Sequence, residues 1–260
     1  MPGPLSDTDP RTEVGQVATA LNHMLGHVED ALTRRQASEE RLRHFAADAS
    51  HELRTPVANI RGHAELALRH HGPVPTDVRH ALERIDSESL RMTRLVDDLL
   101  LLARLDAGRP LEHEPVDLTL LILNATDDAR AAGPGHHWLL DLPEEPVTVI
   151  GDAHRLQQAI GNLLANARTH TPAGTDVTVT LTAKHTTVLV DVTDNGPGIP
   201  EELQPEVFGR FVRADHARSR STGSTGLGLA IVHAVITAHG GTATVTSSPG
   251  HTGVCLTLPV

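Results

Sequence analysis

The sequence predicts a multidomain chain: an all-α helical hairpin that pairs into a dimeric four-helix bundle, followed by an α+β sandwich. Three observations carry this. In the N-terminal part, apolar residues recur at alternating three- and four-residue spacing, the stripe of long amphipathic helices. Beyond Leu111 the pattern switches to short runs alternating at period two, broken by shorter helical stretches. Between the two lies Asp106-Ala-Gly-Arg-Pro110, a helix stop.

The first helical stretch starts near Glu13. Val14, Val17, Leu21, Met24, Val28 and Ala31 keep the spacing, and Leu25 and Leu32 widen the stripe. The register passes Arg35 and Ser38 and returns at Leu42, Phe45 and Ala49, a seven-residue repeat that argues for a coiled coil. It continues through Leu53, Val57, Ile60, Ala64 and Ala67. His51 lies two residues from both Ala49 and Leu53, about 200° around the helix from each. Its imidazole therefore points away from the stripe, beside the carboxylate of Glu52. Pro56 lacks the N–H that would bond the Glu52 carbonyl, so a bend follows His51.

His70-His-Gly-Pro-Val-Pro75 stops this helix, and Thr76 or Asp77 is suited to cap the next. There Leu82, Ile85, Ser89, Met92, Val96, Leu99 and Ala103 form the stripe, broadened by Leu95, Leu102 and Leu105. A two-helix hairpin has too little opposing surface to bury such stripes, so a dimeric bundle is the expected solution.

The remainder reads as a strand at Glu114–Asp117, a helix Leu118–Ala131, and strands at Trp138–Leu142 and Val147–Ile150. Asp152 then caps a helix Ala153–His170. Thr175–Thr182 and Thr187–Asp194 alternate as a hairpin. Pro200–Phe211 reads as helical, Leu227–His239 as an apolar helix, and the stretches from Gly241 and Gly253 as a last hairpin. The helices are expected on one face of a mixed sheet.

Bulk properties exclude several classes. The formal net charge is −11, there is no tyrosine and aromatics make up 2%, so neither a phosphate-binding field nor base-stacking platforms for nucleic acid are available. Lys184 is the sole lysine. The single cysteine, Cys255, rules out a disulfide framework within the chain and reads as a small core residue. No apolar run approaches the roughly 18 residues that span a bilayer. The Met-Pro-Gly-Pro-Leu-Ser-Asp start lacks the regions of a signal peptide, so the chain as given is expected to be soluble and cytoplasmic.

Four separated stretches share one chemical character. Asn162 and Asn166 lie at i and i+4 on one helix face, with neutral amide oxygens suited to Mg²⁺ and phosphate surroundings. Asp194-Asn-Gly196-Pro-Gly198 follows a strand; its glycines allow close backbone approach, and its carboxylate can accept an exocyclic amine's N–H. Phe208, Arg210 and Phe211 come next. Gly223-Ser-Thr-Gly226-Leu227-Gly228 then opens an apolar helix, whose N–H groups suit phosphates. The loop matches neither the P-loop nor the dinucleotide fingerprint.

The ordered set His51-Glu-Leu-Arg-Thr-Pro, Asn162-xxx-Asn166, Asp194-x-Gly-x-Gly, Phe208/Phe211 and Gly226-Leu-Gly228-Leu resembles the sensor histidine kinases of two-component systems. The resemblance implies a phosphoacceptor and dimerisation hairpin over residues 38–108 and an ATP-binding domain over 109–260. Residues 1–37 resemble a partial HAMP linker and signalling helix, whose preceding membrane segment would place the parent protein in the cell membrane with this part facing the cytoplasm. It further implies that His51 is the phosphorylated imidazole, Glu52 its base, and Thr55 the residue that positions water for dephosphorylating the partner. Asn166, assisted by Asn162, would ligate Mg²⁺. Asp194 would hold the adenine of ATP in a pocket shaped by Gly196 and Gly198. Phe208 and Phe211 would anchor the lid, Arg210 would be near the nucleotide, and Gly226, Leu227 and Gly228 would face the phosphates. The implied partners are a response-regulator receiver domain and a second copy of the chain, with no direct nucleic acid and membrane only through an upstream segment. Two positions depart from the family's pattern: Thr169 and His170 stand where a basic residue and an aromatic are common, which leaves Arg168, Arg210 or Arg213 to meet phosphate charge. Ser224 stands where many members begin the loop with glycine.

Overall fold

The structure, a computed structural model, describes residues 21, 24–25, 57–69, 75–106, 111–212 and 225–260. Contacts divide the chain into Met1–Ala49 and Ser50–Val260. In the first unit, Leu21, Met24 and Leu25 are helical and exposed. The heptad beyond them, His51, Glu52, Thr55 and the expected bend at Pro56 lie outside the described residues, as does the turn at 70–74.

The second unit opens with helical residues 57–68 (α1) and the long helix Thr76–Asp106 (α2). Helix α2 starts at Thr76, and Arg79 N–H reaches the Pro75 carbonyl at 3.0 Å. Thr76 and Asp77 are thus inside its first turn rather than capping it. Arg61 links the two helices, pairing with Glu65 at 2.8 Å and approaching Asp86 at 3.5 Å. Val57, Ala64, Ser89 and Val96 are buried, but Ile85 and Met92 on the same expected stripe remain 43% and 45% exposed.

The sandwich follows. Strand Glu114–Asp117 (β1) runs into helix Leu118–Ala132 (α3), which Asp117 caps by accepting the Leu120 N–H at 3.0 Å. Strands His137–Asp141 (β2) and Thr148–Gly151 (β3) precede helix Ala153–His170 (α4), capped by Asp152 through the Arg155 N–H at 3.0 Å. Then come strands Asp176–Ala183 (β4) and Thr187–Asp194 (β5), a 3₁₀ helix Glu201–Glu206, helix Gly228–Ala238 (α5), and strands Thr242–Ser248 (β6) and His251–Pro259 (β7).

A five-stranded sheet has the order β2-β4-β5-β7-β6, with β2 parallel to β4 and the remaining pairs antiparallel. One of its faces packs on the helices. Val177, Val179, Val190, Val192, Leu256 and Leu258 join Ile122, Leu156, Ile160, Leu164, Ile231 and Ile236 in one core. The last turns of α2 enter the same core through Leu101 and Leu102. A separate antiparallel pair, β1 with β3, was not visible in the sequence.

Two further sequence expectations are corrected. Of the stretch Pro200–Phe211, only Glu201–Glu206 is helical, as a 3₁₀ helix, and Pro205 within it has no N–H to donate to its ladder. Cys255 is not a core residue. It alternates out of phase with Val254 and Leu256, and so lies half-exposed on the sheet's other face, opposite Asp191 and Thr244.

One buried histidine sets where α4 begins. His239, at the end of α5, donates from Nδ1 to the Val235 carbonyl at 2.8 Å and accepts the Asp152 N–H on Nε2 at 3.0 Å. A Cβ on Gly151 would stand 2.7 Å from its ring. The strand-to-helix corner is therefore clamped by a single imidazole.

Candidate active site

Helix α4, the ends of β5 and β7, and the glycine turn before α5 enclose a cavity of about 160 Å³. This lies below the roughly 300–1,000 Å³ of a drug-sized ligand site, so its enclosed part suits one flat group with the rest of a ligand outside. Its walls are mainly apolar, from Leu163, Val192, Ile199, Leu203, Val207 and Val254. Into them project Asn166, Asp194, Thr171 and Thr252, with Gly198, Gly226 and Gly228 supplying backbone.

Asp194 is the last residue of β5. Its Oδ1 accepts the Gly196 N–H at 2.9 Å, which turns the chain back at once. Burial pushes its pKa above the ordinary carboxylate range, opposed by the Gly196 N–H and the charge of His251. A half-buried acceptor in an apolar wall is suited to an amine donor on a flat ligand. Gly196 has no room for a side chain: a Cβ would lie 2.5 Å from the Thr171 methyl. Gly198 adopts φ +86°, and a Cβ there would meet the Ser248 carbonyl at 2.6 Å.

The glycine turn is held from α4. Asn162 donates to the Gly228 carbonyl at 3.4 Å, and a Cβ on Gly228 would lie 3.6 Å from Asn166 Oδ1. So the i and i+4 amides both face the turn, but with different tasks: Asn162 grips its backbone, and Asn166 lines the cavity. Gly226 adopts φ +71°. Leu227 is fully buried with its side chain in the core, so only its backbone is near the site.

The remaining sequence-predicted residues lie outside the cavity lining. Phe208 packs on the core and against His233, with ring centroids 5.5 Å apart. Arg210 is paired with Asp106 at the end of α2. Phe211 is 54% exposed at φ +63°. Arg168 donates to the Ala132 carbonyl at 3.4 Å and faces a larger open cleft of about 750 Å³ between α2, α3 and α4. Gly196, Gly198, Gly226 and Gly228 are not on the walls of that cleft, nor are Asn166 and Asp194.

Several contributors were not legible in the sequence. Thr252 lies opposite Asp194 in the β5–β7 register, so strand pairing alone delivers it to the cavity. Thr171 donates to the Ala167 carbonyl at 2.6 Å and accepts from His136 Nε2 at 3.0 Å. Ser247 accepts the Ile199 N–H at 2.8 Å, while Gln204 donates to the Ile199 and Ser247 carbonyls. The only signal available was that Thr171 follows directly on the asparagine helix. Among the described residues there is no cluster of three His, Cys, Asp or Glu side chains able to hold a metal. No described helix is long and apolar enough to cross a membrane.

Comparison with known proteins places this geometry. The family of histidine kinase-, DNA gyrase B- and HSP90-like ATPases matches residues 151–260, and the His Kinase A (phospho-acceptor) domain matches residues 41–108. The probable sensor histidine kinase TcrY of Mycobacterium tuberculosis is 60% identical over 257 residues, covering 99% of this chain and 54% of that protein. The sensor histidine kinase TrcS of the same organism is 49% identical, covering 98% and 51%. The chain thus spans about half the length of these curated relatives. Among solved structures, the mycobacterial sensor histidine kinase MprB is 36% identical with a TM-score of 0.51, covering 56% of this chain and 97% of that one. Full-length ShkA, solved with AMPPNP, is 28% identical with a TM-score of 0.71, covering 83% and 45%. With a helical phosphoacceptor region, an α+β domain of the ATP-binding type and these relatives, the chain belongs to the sensor histidine kinases of two-component systems.

Proposed function

We propose that the chain catalyses ATP-dependent phosphorylation of its own His51 and passes the phosphoryl group to an aspartate on a response-regulator receiver domain. The observation that supports it most is the cavity that gathers Asn166, Asp194, Gly198, Gly226 and Gly228 from separated stretches. ATP is the substrate. Asp194 accepts the adenine amine, the apolar walls and Gly198 flank the base, and the turn at Gly226–Gly228, opening α5, faces the phosphates. Asn166 fits Mg²⁺, since its neutral amide oxygen adds no repulsion beside phosphate; the ion would offset the charge of the transferring group. Asn162 keeps the turn seated on α4.

In the transfer step the unprotonated imidazole nitrogen of His51 bonds to the γ-phosphorus. The bond from that phosphorus to the bridging oxygen breaks, ADP leaves with the electron pair, and Glu52 takes the proton from the other ring nitrogen. In a separate, dephosphorylating role, Thr55 holds a water that attacks the phosphorus on the receiver aspartate, breaking the bond to the carboxylate oxygen and releasing inorganic phosphate. The chain works as a homodimer through its helical hairpin. Incubation with γ-labelled ATP and Mg²⁺ is expected to give an acid-labile, alkali-stable label that His51→Gln abolishes. Label that survives the substitution would sink the assignment. Loss of label from a phosphorylated receiver domain should slow in Thr55→Ala, and an equal rate would count against that residue's role.

A further inference from the structure

Helix α2 meets the edge of the nucleotide site with an ion pair above its apolar packing. Arg210 donates to the carboxylate of Asp106, the last residue of α2. Arg210 sits between two anchored neighbours. Phe208 lies against His233 of α5, and the Phe211 N–H donates to the Gly226 carbonyl at 2.8 Å. Phe211 holds φ +63°, a left-handed conformation that a bulky residue keeps only when its surroundings impose it. Gly226 is a lining residue of the cavity, whereas Arg210 and Asp106 are not. Beneath them Leu101 and Leu102 of α2 pack into the core that also holds Leu227 and Ile231. One charged contact therefore lies one residue from a strained backbone, which lies one hydrogen bond from the glycine turn.

We propose that Asp106 is a positioning residue for the nucleotide site, acting through Arg210. Holding the guanidinium keeps Phe211 in its left-handed state and keeps the Gly226 carbonyl occupied, so the turn presents its N–H groups toward the phosphates. The nucleotide site is then sensitive to the position of α2, the helix that carries Asp106. This rests on the reading of the cavity as the ATP site. It differs from a direct nucleotide contact by Arg210, because Asp106 is then required for the effect of Arg210. It also differs from a solvated surface pair, whose loss changes little.

Binding of a fluorescent ADP analogue to the full 260-residue chain tests this without any need for phosphorylation. Asp106→Asn and Arg210→Gln are each expected to weaken binding about three- to fivefold, the scale of one ion pair. The double variant should bind no worse than either single one, and Asp106→Glu should bind within about twofold of the parent. In ATP labelling, the same variants should raise KM more than they lower kcat. Thermal unfolding midpoints that match the parent would separate positioning from lost folding. Multiplying effects in the double variant, or unchanged binding in Asp106→Asn, would overturn the proposal while leaving the ATP site intact. Failure of the parent chain itself to bind the analogue would bring down the nucleotide-site reading, and this inference with it.

Discussion

Asp194 ends β5 with its carboxyl half withdrawn from water and one oxygen on the Gly196 N–H. Burial raises its pKa above the usual carboxylate range, against the Gly196 N–H and His251. Only the ionised form offers acceptors alone to an adenine amine; a proton on it replaces an acceptor with a donor. Nucleotide affinity should therefore fall as pH drops, starting at a higher pH than an ordinary aspartate would give. Asp194→Asn should weaken ADP binding about 10- to 100-fold, from about 1.5–3 kcal/mol for a hydrogen bond to a charged group. Calorimetric titrations at pH 8 and pH 5.5 would check both points, with the variant reporting the nucleotide's own titration. Parent-like affinity in the variant would remove Asp194 from the base site. At this scale the sequence was readable where the chemistry is local. The Asp194-Asn-Gly-Pro-Gly198 run announces a carboxylate beside a tight turn. Thr252 could not be found, since it arrives opposite Asp194 only through the β5–β7 register.

Among the elements, local signals located the boundaries. The Asp152 cap and the following apolar period delimited α4, and period-two alternation delimited β4 and β5. Pairing is not local, so the β1–β3 ladder and the parallel seat of β2 beside β4 stayed hidden. Helix α2 adds an electrostatic feature that apolar spacing does not reveal. Asp98 is raised to about 6, first by burial and then by neighbouring Asp97, with Arg94 opposing. In the unfolded chain the same group titrates near 3.8. The folded state thus binds more protons between these values, and stability contributed by this group declines as pH rises through that window. Above it the ionised carboxylate is a standing cost, reduced by its partial contact with solvent. Asp98→Asn should raise neutral-pH stability by about 1 kcal/mol, and the gain should shrink at pH 5. Urea unfolding at pH 7.5 and pH 5 would check this. A variant no more stable than the parent at pH 7.5 would show that the site is better solvated than its burial implies.

At the scale of the whole molecule, the two-part architecture was readable because the hydrophobic period changes from helical to alternating near Leu111, and the two periods require different partners. A helical stripe that its own chain leaves uncovered must find a cover elsewhere. Ser89 and Val96 on α2 are buried within one chain, while Ile85 and Met92 of the same stripe stand in water, as do Ile60 on α1 and Val78 on α2. Scattered exposed apolar residues are ordinary, but residues aligned at helical spacing on one hairpin form a continuous face. A second copy of the hairpin has the same face and can close it by two-fold symmetry. The parent chain should therefore be a dimer at micromolar concentration. Ile85→Glu with Met92→Glu should convert it to monomer, since each introduces a charge where the partner's apolar surface would lie. Because both side chains are exposed within one chain, the variant should keep its fold and its affinity for ADP. Sedimentation velocity at several concentrations, together with nucleotide titration, would check the prediction. A parent chain that is monomeric at tens of micromolar, or a variant that still dimerises, would show that another surface covers this stripe.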